Sequence, residues 1–82
     1  MAGQFRLTVR RLDTLATVRS ELVHRDLREG CWLINKAPAR RWHGRTLSEL
    51  EQAELIQVDS WEPGQPAVTL TPAGHEALAT VS

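Results

Sequence analysis

A chain of 82 residues makes one domain, and at this length only about 60–65% of the unfolded surface is buried, in one modest core. Hydrophobic residues make up 41% of the chain and no run of 18 apolar residues occurs, which excludes a membrane-spanning helix. Formal net charge is zero, yet the charges are segregated: residues 1–45 hold all ten basic residues and four acidic ones, and residues 46–82 hold six acidic residues and no Lys or Arg. The halves therefore carry +6 and −6. Such asymmetry points to an anionic partner for the first half. Attraction between the halves within the fold explains it equally well, because net charge speaks to association and not to fold.

Residues 1–7 carry no apolar signal core, so the expected location is the cytoplasm. The single cysteine, Cys31, can form neither an internal disulfide nor a zinc site alone, and is expected as a small buried apolar residue. Nine arginines against one lysine, with frequent alanine, suggest a GC-rich genome such as that of an actinobacterium or its phage.

In chain order, a helix is expected over 7–21. Thr8 suits its N-cap, and Leu12, Leu15, Val18 and Leu22 recur at three- and four-residue spacing to form one apolar face. Gly30 then separates 22–27 from the Cys31-Trp-Leu-Ile-Asn35 stretch. Two readings stand: a hairpin over 22–35, which is preferred, or a first helix running on to Leu27. Residues 36–45 are polar and basic, with Pro38 and Gly44 as breakers.

Thr46-Leu-Ser-Glu49 matches a capping box, predicting a helix from Thr46 to near Glu54 with Leu47, Leu50 and Ala53 inward. An earlier start after Pro38 also fits, since Ala39, Trp42, Thr46, Leu50 and Ala53 make a helical stripe. A strand follows over 55–58, then a segment dense in turn formers, then a returning strand over 67–71. Thr71 and Pro72 open a last helix as cap and first helical residue, with Ala73, Ala77, Leu78 and Val81 on its apolar side.

The run from Arg45 to Ile56, followed by a hairpin and by Val68-Thr-Leu-Thr-Pro-Ala-Gly-His-Glu-Ala-Leu78, resembles the winged helix-turn-helix regulators of the MarR and PadR type. The resemblance covers about residues 40–80. It implies a small α+β domain of three helices with a C-terminal two-stranded wing, to which the hairpin near 22–35 would be an addition. It also implies a DNA-binding protein, most simply a transcription regulator, whose recognition helix is the one ending near Glu54. The chain departs from the family in its acidic residues, Glu49, Glu51 and Glu54, and in a wing without Lys or Arg. Glu54 stands where the family has glycine.

No catalytic constellation is visible: His24, His43 and His75 lie in separate segments, nothing pairs them with Cys31 or a serine, and no phosphate loop or zinc spacing occurs. An enzyme, a metal site and a cofactor are therefore not expected. Arg40, Arg41, His43 and Arg45 form the densest basic cluster, at or before the start of the second helix, where free N–H groups and the helix dipole favour phosphate. Ser48, Glu49 and Gln52 would turn outward, and such side chains can read base edges. Arg10 and Arg11 could touch a phosphate backbone, although a solvated helix face is the commoner role; Trp32 and Trp42 suit the core.

Two functions are thus expected as rivals: binding of double-stranded DNA, or docking on a host protein through Glu49, Glu51, Glu54, Trp61 and Glu62. The deciding feature is whether the arginines surround the second helix or lie opposite it. A monomer or a homodimer fits either.

Overall fold

Thr8 is extended (φ −73°, ψ 168°) and its hydroxyl oxygen accepts from the Arg11 backbone N–H at 3.2 Å, which caps α1 (Val9–Ser20). The computed structural model describes residues 6–59 and 64–81. Leu15 and Val18 are buried and Leu12 packs against the core, as the spacing predicts. Leu22, expected as the fourth residue of that stripe, is instead 59% exposed. The helix has already stopped, because Glu21 is extended and turns the chain into a strand.

The hairpin reading of 22–35 holds. β1 (Val23–Asp26) pairs antiparallel with β2 (Cys31–Ile34), from Val23 opposite Ile34 to Asp26 opposite Cys31. The intervening turn places Gly30 at φ +72°, and the Asp26 carboxylate accepts from the N–H groups of Arg28 and Glu29. Trp32 is buried, while Cys31 is only half-buried and not the core residue expected. A third strand, β3 (Ala37–Pro38), returns along β2 through a two-residue turn in which Asn35 and Lys36 both have positive φ. Pro38 fits there because β3 is an edge strand, where its missing N–H breaks no ladder.

α2 (Arg41–Gln52) begins a turn and a half before the expected capping box. Thr46 is an interior residue: its hydroxyl donates to the Trp42 carbonyl at 2.7 Å. The apolar stripe reaching back toward Ala39 outweighs the local capping pattern, and Arg40 stands at the N-cap with no side-chain bond. Gly44 does not break the helix; it faces the Trp32 ring, which would sit 3.6 Å from a Cβ there. Leu47 and Leu50 are fully buried.

α2 closes in a Schellman motif. The Leu55 N–H donates to Leu50 O and the Glu54 N–H to Glu51 O, with Glu54 at φ +62°. β4 (Ile56–Val58) and β5 (Val68–Leu70) then pair antiparallel, each slightly shorter than expected. Ile56, Val68 and Leu70 point inward while Gln57 and Thr69 face out. Residues 64–67 also run beside β1: the Arg25 N–H donates to Pro66 O, the Leu27 N–H to Gly64 O, and His24 bridges Ala67. The two small sheets, β1–β2–β3 and β4–β5, are thereby stitched together.

α3 (Pro72–Val81) starts as predicted. The Thr71 hydroxyl accepts from the Gly74 N–H at 3.1 Å and also donates to Glu54 O. Leu78 is buried and Ala77 half-buried, whereas Ala73 is exposed; the Val81 side chain lies outside the described part. The core lies where α1, α2 and α3 cover the inward faces of the strands, with Leu15, Leu47, Leu50 and Ile56 at its centre. The described residues form a small α+β domain of three helices and two antiparallel sheets. Among the described residues no helix is long and apolar enough to cross a membrane.

Candidate nucleic-acid interface

The buried residues Thr46, Leu47 and Leu50 fix how α2 is turned. At about 100° per residue, the direction opposite to them is occupied by Arg41, Arg45 and Gln52, which lie within about 40° of one another around the axis, with Ser48 about 20° beyond Arg41 on the side that Trp32 covers. All three are exposed. Glu49 is rotated to the side facing α1, where Arg11 takes its carboxylate (Nη2 to Oε1 3.2 Å, Nε to the same oxygen 3.3 Å). Glu51 flanks the opposite side, so the acidic residues stand beside the outward stripe and not on it.

Arg10, from α1, joins this stripe. It lines an open groove of about 500 Å³ together with Arg41, Trp42, Arg45, Thr46 and Glu49. Its guanidinium lies 5.4 Å from the Trp42 ring centroid, within reach of a cation–π contact. The α2 N-terminus adds to the positive potential. No acidic residue stands in its first turn and no basic one in its last, so the side-chain charges reinforce the helix dipole where they would ordinarily oppose it. That arrangement costs helix stability and concentrates positive charge at one end.

His43 is half-buried between the helices. Its ring stacks on Trp42 (centroids 3.7 Å apart, 25° between planes) and its Nδ1 is 3.2 Å from the Thr14 hydroxyl. Thr14 has one hydroxyl proton, which goes to the Arg10 carbonyl at 2.9 Å. Its oxygen therefore accepts from His43, which places the imidazole proton on Nδ1. Burial lowers the His43 pKa below 6.5; nearby Asp13 opposes this and Arg40 reinforces it.

The structure brings together Arg41, Arg45 and Gln52 on one face, with exposed Arg40 at its N-terminal end. It turns His43 inward against α1. Ser48, expected to face out, is half-buried and its oxygen accepts from the Trp32 indole N–H at 3.2 Å. Glu51 and Glu54 rim a separate groove with Ile56, Gln57, Thr71, Pro72 and Ala73. Trp61 and Glu62 lie outside the described residues. Two members of the basic groove carry no local signal. Arg10 reads as a solvated residue of α1, with a phosphate contact as the rarer role, and Trp42, read as core, is half-buried and lines the groove. Only the packing of α1 on α2 joins them.

Among the described residues no group of three His, Cys, Asp or Glu side chains is placed to hold a metal ion. Compared with family models, curated proteins and solved structures, the chain matches none.

Proposed function

We propose that this chain is a small winged-helix DNA-binding protein, most simply a transcription regulator, in which α2 enters the major groove and the β4–β5 hairpin is the wing. The order α2, hairpin, α3 supports the winged-helix reading, with the β2–β3 turn in place of the helix that ordinarily precedes a recognition helix. The observation that carries the function is the outward face of α2. It shows Arg41, Arg45 and Gln52 in line, Arg10 alongside, and Glu49 at the edge of the groove with its charge paired to Arg11. The arginines supply counterion-releasing phosphate contacts and Gln52 the donor–acceptor pair suited to adenine.

The test is binding to random-sequence duplex DNA, by fluorescence anisotropy, at two salt concentrations. Binding that weakens steeply with salt supports the reading. Absence of binding at low salt, where attraction to phosphate is strongest, refutes it.

A second reading, docking on a basic host protein, is favoured by Glu51 and Glu54 rimming a groove beside Ile56 and Pro72. It predicts that Glu51→Gln with Glu54→Gln abolishes partner capture, and that Arg41→Ala does not.

A further inference from the structure

We propose that the groove between α1 and the first half of α2 accepts an unpaired nucleotide, with its base against the Trp42 indole and its phosphate on Arg41 and Arg45. The proposal rests on the reading that this end of α2 meets nucleic acid, and goes beyond it by naming a single-stranded element as the ligand.

Trp42 is the starting point. A large aromatic ring on a helix that packs against two neighbours is ordinarily buried for its area. Here Trp32 is buried, whereas Trp42 is half-buried and lines an open groove. Its ring is backed by His43, stacked at 3.7 Å and itself anchored to Thr14, so the indole is held in one orientation. Above the ring stands the Arg10 guanidinium, a planar cation on an exposed, flexible stem. A base is also planar and takes the same position when Arg10 swings aside to a phosphate.

The rest of the groove fits the remainder of a nucleotide. Its volume, about 500 Å³, lies in the range of about 300–1,000 Å³ typical of small-ligand sites. Arg41 and Arg45, one helical turn apart, stand on its wall for the phosphate. The Glu49 carboxylate, fixed by Arg11, can accept from an exocyclic amine of the base. A paired duplex offers Trp42 only base edges, because its base faces are stacked on one another. A single-stranded tail offers faces, and an aromatic ring within a cationic groove is the usual platform for them.

The experiment uses the whole chain and a hairpin duplex with a three-nucleotide overhang, natural or abasic at all three positions. The two ligands carry equal charge and differ only in bases. Base stacking on Trp42 makes the natural overhang bind tighter by about 5- to 150-fold. Trp42→Leu should bring that ratio close to one, and Trp42→Phe should keep part of it. Thermal unfolding of both variants checks that they fold, and the natural-to-abasic ratio of the unaltered protein needs no variant. Equal affinity for the two overhangs overturns this proposal while leaving duplex binding intact. Failure to bind either ligand at low salt overturns it together with the DNA reading.

Discussion

Gly74, in the first turn of α3, lies directly against the carbonyl oxygen of Leu55, so that a Cβ at position 74 would collide with that backbone atom. The same carbonyl accepts from the Thr71 N–H. The Leu70-Thr-Pro-Ala-Gly74 run thus has a physical role for each polar or special residue. Thr71 caps α3, Pro72 presets its first turn, and Gly74 lets α3 close on the chain leaving α2. Since the obstacle is backbone and not a movable side chain, Gly74→Ala should destabilise the domain by about 3 kcal/mol or more. Urea denaturation measures this, and a loss below about 0.5 kcal/mol would show that α3 is free to shift.

Glu54 presents the opposite case. It occupies the left-handed position of the Schellman motif at φ +62°, where a side chain is strained and glycine is not. Its side chain is exposed, so little packing is lost on its removal. Glu54→Gly should therefore stabilise the fold by about 1 kcal/mol, raising the thermal midpoint by about 4–8 °C. A lower midpoint would mean that the glutamate side chain contributes more than its backbone strain costs.

The contrast between these two positions shows what the residues alone disclose. Elements set by local chemistry were legible: the Thr8 cap, the Thr71–Pro72 start, the alternation of Ile56 to Val58 and of Val68 to Leu70. The start of α2 was not settled, because Thr46 and Glu49 satisfy a capping pattern that burial of Thr46 in the core overrides. β3 was invisible, being two residues long and containing a proline. The basic cluster at Arg40, Arg41 and Arg45 was legible as a charge run. Its extension to Arg10, which meets Trp42, and the pairing of Glu49 with Arg11, 38 positions away, depend on long-range contacts that no local pattern encodes.

His43 couples stability to pH. Its folded-state pKa is lowered by burial, with Asp13 opposing and Arg40 adding to the effect. A histidine depressed in this way favours the folded state while neutral. Its contribution is present in full above the unfolded value near 6.5 and is lost as pH falls toward and through the lower folded value. Protonation also leaves Nδ1–H bonded to Thr14 but charges a ring partly buried and beside Arg40, which is unfavourable. His43→Asn retains a donor toward Thr14 and cannot titrate. Between pH 7.5 and 5.5 the unaltered protein should lose more stability, by urea denaturation, than the His43→Asn variant does. Parallel pH profiles would show that His43 keeps its ordinary titration in the fold.

The outward face of α2 provides the decisive prediction for duplex DNA. Arg41 and Arg45 stand one helical turn apart on that face, are always charged, and sit toward the helix end where the dipole already favours anions. Each phosphate contact removed lowers the magnitude of the log–log salt slope by about 0.9. Arg41→Ala with Arg45→Ala should therefore weaken binding to every sequence alike and flatten the slope by roughly 2. Gln52 lies on the same face but carries no charge, so Gln52→Ala should leave the slope alone and relax sequence preference by about 1–3 kcal/mol at the base pair it reads. Ser48 supplies the internal comparison. Its oxygen is committed to the Trp32 indole, so Ser48→Ala should lower stability, by leaving that buried N–H without its partner, before it changes any DNA preference. If the double arginine variant keeps the full slope while Gln52→Ala shifts it, α2 does not face phosphate in the orientation argued, and the helix must lie on its partner by another side.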